Sequence, residues 1–310
     1  MLHGNVFAHY FSLGALRRKY PGCYRTIWHI HNNLNVVRHF GIPARFNWRQ
    51  ARRGADWLLC VSRASAAGWA PSGVATEVVH NCVSPQARVS RPASVASGPL
   101  RVVASGRMEW NKGLHVALEA LARVLAAGVD MTLDVFGGPL EGNEYFAQLQ
   151  AMTVELGITK AVQFHGFQSD FIKRLPSYDI ALQCRIDPEP FGLYVLECMN
   201  IGVPVIASAN GGILELLRAD VDGLLYPPGD AAALANGLIE LARNPARRQQ
   251  LAENARVRAH EEFSQSIFAR RLTQFYSRVG ATLPAEDALK CLASASGSAP
   301  QKSICYESAI

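Results

Sequence analysis

Beyond residue 100 the chain alternates two patterns of apolar positions. Short unbroken apolar runs suit strands buried on both faces, and apolar residues recurring every three or four positions suit helices with one buried side. Residues 100–106 predict a strand, and Leu114, Leu118, Leu121 and Leu125 predict a helix over 112–127 that Gly128 ends. A strand over 131–136 follows, closed by Gly137-Gly138-Pro139, then a helix near 143–156 and a strand at 161–164. A short helix around 171–175 leads to a strand over 179–183. After an apolar helix around Leu193, Val195, Leu196 and Met199 come a strand over 203–207, a short helix near 213–217 and a strand over 223–226. Such alternation makes βαβ units, hence an α/β fold with a parallel sheet covered by helices on both faces. Ligands of such sheets bind beyond the carboxyl ends of the strands, which is where Gly106-Arg107 and the 184–192 loop fall.

The first part of the chain is thinner in pattern. Strands are predicted at 24–31, 57–62 and 77–80, giving a smaller α/β domain over residues 1–83. Residues 84–99, with Pro85, Pro92 and Pro99 among serines, read as an interdomain linker. The second domain then spans 100–263, and Phe268, Leu272, Phe275 and Tyr276 share one side of a helix over 264–282. The Ala/Ser-rich stretch 283–310 is expected to be disordered.

Composition adds bounds. A chain of 310 residues, 49% hydrophobic and 18% charged, has the make-up of two folded domains and not of a disordered segment. No uncharged apolar run approaches a membrane span, and Met1-Leu2-His3-Gly4-Asn5 is not the start of a signal peptide, so the expected compartment is the cytoplasm. The seven cysteines are odd in number and contain no Cys-x-x-Cys, which argues against a zinc ribbon or a disulfide framework. Net charge is +6, with Arg17, Arg18, Lys19, Arg45, Arg49, Arg52 and Arg53 concentrated early among Phe46, Trp48 and Trp57. No nucleic-acid motif accompanies them. A solvated helix face is one reading, and peripheral contact with the inner face of an anionic membrane is another.

The densest chemistry lies between Glu189 and Glu197, in the run Glu-Pro-Phe-Gly-Leu-Tyr-Val-Leu-Glu. Pro190 and Gly192 favour a turn, so one carboxylate precedes a helix N-terminus and the other sits inside the helix. That N-terminus aims free N–H groups at anions, which suits a ligand bearing both phosphates and hydroxyls. Upstream, Arg107 and Lys112 in Gly-Arg-Met-Glu-Trp-Asn-Lys-Gly occupy a strand-to-helix turn, where a planar fork and a point charge can neutralise a diphosphate. His29 and His31 are two apart on a strand and share a face. No third ligand is evident, and metal is not expected.

Together these segments, with Val61-Ser62-Arg63-Ala64-Ser65 and Val78-Val79-His80-Asn81-Cys82-Val83, resemble the family 4-type retaining glycosyltransferases of the GT-B fold, the glycosyl transferases group 1. The resemblance covers about residues 24–280, and Cys82 stands where the family has glycine. It implies two Rossmann-like doubly wound domains, the N-terminal one incomplete because the histidine strand arrives so early. It also implies transfer of a sugar from a nucleoside-diphosphate-sugar to a glycan or lipid-linked hydroxyl acceptor in cell-envelope or exopolysaccharide synthesis. Arg107 and Lys112 would hold the diphosphate, Glu189 the sugar hydroxyls, the Phe191-Gly192-Leu193 backbone the sugar and phosphates, and Glu197 the ribose. His31 would orient a hydroxyl across the cleft, and Glu189 and His31 are the catalytic candidates. The implied cofactor is none, the sugar nucleotide being a substrate. Two other classes remain: a nucleotide-sugar-binding fragment without turnover, and a GT-B sugar-nucleotide epimerase.

Overall fold

A computed structural model describes residues 1–5, 7–34, 43–84 and 98–280. The 283–310 tail lies outside these residues, as does nearly all of the 84–99 linker. The described chain divides into two compact units. The first comprises Met1–Cys82, Pro188–Phe191 and the chain from Phe263 onward; the second runs from Val83 to Asp187 and from Gly192 to Glu262. The sequence-drawn boundaries did not include the four residues 188–191, or the chain from Phe263, in the first unit.

In the first unit, β1 (Leu2–Gly4), β2 (Thr26–Ile30), β3 (Trp57–Cys60) and β4 (Ala75–Val78) form a parallel sheet in chain order. The helices α1 (Phe7–Lys19) and α2 (Ala44–Gly54) cover one face, where Trp28, Ile30, Leu58 and Cys60 meet Tyr10, Leu13 and Ala51. The other face, Ile27, Leu59 and Val79, packs on Leu272, Phe275 and Tyr276 of the helix Gln265–Arg278. Every residue of β2 is buried because helices lie on both faces, which explains its near-continuous apolar character. A short α3 (Arg63–Ala67) follows β3, with Ser62 and Ser65 forming a reciprocal capping box.

The second unit winds doubly about one sheet. Its elements are β5 (Leu100–Ser105), α4 (Leu114–Ala126), β6 (Met131–Phe136), α5 (Glu144–Glu155), β7 (Val162–Gly166), α6 (Phe171–Arg174) and β8 (Ile180–Gln183). They continue with α7 (Leu193–Ile201), β9 (Val205–Ser208), α8 (Ile213–Leu216), β10 (Leu224–Tyr226), α9 (Ala231–Arg243) and α10 (Pro245–Glu262). The strand order is β10-β9-β8-β5-β6-β7, all parallel. Leu118, Leu121, Leu149, Leu234 and Leu238 bring α4, α5 and α9 onto Val102, Leu133, Leu182 and Ile206. Each such leucine contributes about 1.5–3 kcal/mol on burial, so this core dominates the unit's stability. The chain reverses its direction of growth at β5, which pairs with both β6 and β8. A crevice outside the carboxyl ends of those strands is the expected ligand position.

Candidate active site

Loops from four neighbouring strands are locked together at that switch point. Gly106 N–H donates to Phe136 O at 3.0 Å and Met108 N–H to Gly138 O at 3.2 Å, joining the loops after β5 and β6. Ile186 N–H donates to Asn111 O at 2.9 Å, joining the loop after β8 to the same segment. Behind it, Asn210 Nδ2 donates to both Arg185 O and Ile186 O at 3.0 Å, and Ser208 Oγ also donates to Arg185 O. The approach at Gly137 admits no side chain: with φ at 127°, a Cβ there would stand 1.8 Å from Gly106 O.

Arg107 and Lys112 stand on this platform. The aliphatic stem of Lys112 runs past Gly106, its Cδ 3.5 Å from where a Cβ on that glycine would lie. Arg107 Nη1 pairs with Glu109 Oε1 at 2.8 Å, both side chains about 40% exposed, so the guanidinium remains open to water and ligand. Beside them Trp110 is 61% exposed and stacks on His115 at 5.5 Å, whose Nδ1 lies 2.8 Å from Tyr145 Oη.

The helix α7 begins at Gly192 in a left-handed conformation, φ 103°, with no side chain capping its first N–H groups. An uncapped start is polar and electropositive, and suits a phosphate or a sugar oxygen. Tyr194 Oη donates to Val103 O at 3.1 Å and ties the helix to β5. Glu197 lies one turn further in, and burial pushes its pKa up to about 7. Among the described residues no hydrogen bond reaches this carboxylate, which leaves it available to accept from hydroxyls. Arg107, Lys112, Gly192, Leu193 and Glu197 thus all belong to the second unit.

The structure assigns the other candidates to the first unit: His31, Glu189 and Phe191. Residues 188–191 are bound there by backbone, with Asn33 Nδ2 donating to Pro188 O at 2.6 Å and Ser62 Oγ to Pro190 O. Phe191 packs on His80 at 5.8 Å and Phe263 at 6.2 Å. Glu189 is half-buried. His31 directly follows β2, its ring 4.1 Å from that of His29 on the same face, and burial pushes its pKa down to about 4. His3 from β1 stacks on His29 at 5.3 Å and bonds to Tyr276. His29 Nδ1 meets Asn5 Oδ1 at 3.0 Å. These imidazoles are held neutral.

Several groups here escaped the sequence reading. Arg185 is 5% exposed and grips Asp187 through two contacts, 2.6 and 3.2 Å, while its carbonyl anchors the β9 loop. Its only sequence signal is its place just after a strand. Asn111 and Asn210 each keep one buried side-chain oxygen without a partner among the described residues. Neither asparagine stands out in the sequence.

The family model of the glycosyl transferases group 1 matches residues 87–258. The chain belongs to that family. Among its curated relatives is the amylovoran biosynthesis glycosyltransferase AmsK of Erwinia amylovora, 32% identical over 58% of this chain and 45% of the relative. Another is the putative colanic acid biosynthesis glycosyltransferase WcaL of Escherichia coli K12, 29% identical over 84% of this chain and 64% of the relative. The chain spans less than two-thirds of the length of these relatives. A crystal structure of Anabaena HepE in complex with UDP and glucose superposes with a TM-score of 0.79 at 24% identity. It covers 89% of this chain and 77% of HepE, and that likeness gives this member of the family the GT-B fold.

Proposed function

We propose that this chain transfers a sugar from a nucleoside-diphosphate-sugar to a hydroxyl acceptor, with retention of anomeric configuration, in the synthesis of an envelope or extracellular glycan. The observation that carries the reading lies within the second unit. Two basic side chains, the bare N-terminus of α7 and the unpartnered carboxylate of Glu197 all follow or flank the carboxyl ends of one parallel sheet. A diphosphate needs the first two, and the hydroxyls of a ribose need the third. The UDP and glucose held by HepE support the same assignment.

In this reading Arg107 and Lys112 stabilise the departing diphosphate, the largest electrostatic contribution to the rate. The bond between the anomeric carbon and the phosphate oxygen breaks. The acceptor oxygen bonds to that carbon on the same face, and its proton passes to the departing phosphate oxygen. No protein nucleophile, metal or cofactor is assigned a part. Glu189 and His31 orient hydroxyls, a role for which the neutral imidazole of His31 serves as donor or acceptor. No described helix is long and apolar enough to cross a membrane.

A thermal-shift panel with uridine, guanosine and adenosine diphosphate sugars tests the reading, since a ligand of the native state raises apparent stability by mass action. One sugar nucleotide should raise the midpoint of the parent protein, and Lys112→Ala should abolish the rise. A parent protein indifferent to every donor would defeat the proposal. A donor that shifts both proteins alike would remove Lys112 from the site.

A further inference from the structure

The first 55 residues contain nine lysines and arginines and no aspartate or glutamate; the first carboxylate is that of Asp56. Seven of the nine stand on two helices, Arg17, Arg18 and Lys19 on α1 and Arg45, Arg49, Arg52 and Arg53 on α2. Helices α1 and α2 lie side by side on the same face of the first sheet. They cross where a Cβ on Gly54 would stand 2.9 Å from the Cα of Gly14. Their inner sides face Trp28 and Leu58, so their outer sides face away from the sheet.

Few of the cations are neutralised. Arg17 pairs with Asp56 at 2.6 Å, and Arg52 donates to the carbonyls of Ser72 and Pro71. No described carboxylate pairs with Arg18, Lys19, Arg45, Arg49 or Arg53, and all five are exposed. Among them stand apolar side chains that a merely solvated face does not need: Leu16 at 39% exposure, Phe46 at 41% and Tyr20 at 43%. Phe46 rests against Phe11 at 6.3 Å, and Lys19 lies over Tyr20 at 5.3 Å.

We propose that this α1–α2 surface docks on an anionic lipid bilayer. Cations attract the acidic headgroups, each contributing independently and each screened by salt. Exposed leucine and aromatic rings enter the headgroup boundary, where an apolar body with a polar rim is best accommodated. A nucleic acid would use the cations but give Leu16 and Phe46 nothing to enter, so the mixture selects the bilayer. The proposal stands apart from the transfer reaction, because every residue in it lies outside the residues assigned to donor or acceptor.

Co-sedimentation of the full chain with vesicles tests it. Vesicles containing phosphatidylglycerol should pellet the protein at low salt, and vesicles of phosphatidylcholine alone should not. High salt should release it. The triple variant Arg45→Ser, Arg49→Ser, Arg53→Ser should bind at least ~10-fold more weakly. Phe46→Ser should weaken vesicle binding by roughly threefold or more while leaving the salt dependence unchanged. Failure to pellet with phosphatidylglycerol, or a triple variant that binds like the parent, would overturn the proposal. So would a duplex oligonucleotide that binds parent and Phe46→Ser equally while vesicles capture neither. No sugar transfer is read, so a negative result here leaves the transferase reading untouched, and the reverse holds too.

Discussion

Gly113 and Cys184 meet backbone to backbone: with φ at 67°, a Cβ on Gly113 would stand 1.9 Å from the Cys184 carbonyl oxygen. That contact fixes the loop carrying Lys112 against the loop after β8. Gly113→Ala must therefore move one loop or the other, in a backbone region where alanine is already strained. We expect a loss of roughly 2–4 kcal/mol of stability, read from urea unfolding. Donor binding should fall with it, since Lys112 is the preceding residue.

Arg107 makes the opposite case. Its pair with Glu109 is exposed, and such pairs contribute about 0–1 kcal/mol. Arg107→Ala should leave the urea midpoint nearly unchanged while weakening binding of whichever sugar nucleotide the thermal-shift panel selects by roughly tenfold or more, measured by calorimetry. A large fall in stability with intact affinity for that nucleotide would reverse its assigned role.

Glu197 carries a pH signature. Its folded pKa is raised from 4.5 to about 7 by burial, so between those values the native state keeps a proton that the unfolded chain has lost. Stability contributed by this group therefore falls as pH rises from 4.5 to 7 and stays low above. Glu197→Gln removes the penalty. At pH 8 the variant should be more stable than the parent by roughly 1–3 kcal/mol, with donor affinity reduced because an amide accepts ribose hydroxyls more weakly. Equal stability of the two proteins at pH 8 would show that the carboxylate is solvated.

The buried imidazoles titrate in the other direction. Burial lowers His3 and His31 from 6.5 to about 4, and His29 is also held well below its ordinary value by burial. Below pH 6.5 the unfolded chain takes up protons that the native state refuses, so stability falls as pH drops towards 4. Each group should contribute a slope of up to about 1.4 kcal/mol per pH unit in that window. Thermal midpoints across the range measure the slope, and His31→Gln should flatten it. An unchanged slope in the variant would mean that His31 is solvated in the native state.

Much of the second unit was legible because its signals are local. The run at 131–136 became β6 without adjustment, and the leucine spacing from Leu114 to Leu125 gave α4 within two residues at each end. Gly192 marked the start of α7 because only a turn residue sits easily at a positive φ. Helices α9 and α10 carried no prediction. The polar Pro245–Glu262 helix buries Leu251, three alanines and the Arg248 side chain, a stripe that its Arg and Glu content hides. The strand β1 was also unread: three residues, Leu-His-Gly, have no periodicity, and pairing with β2 makes them a strand.

What the sequence determined is the chemistry on offer: basic residues in one turn, carboxylates about a helix start, a histidine ending a strand. Side-chain type and local backbone preference are properties of neighbours along the chain, so spacing alone reveals them. Tertiary structure decided which of these groups share a unit. Long-range burial placed Glu189 and Phe191 with the first sheet and Glu197 with the second, although eight positions separate the two glutamates. The same burial lifted Glu197 to about 7 and lowered His31 to about 4, because a charge is destabilised by the loss of water that only packing brings about.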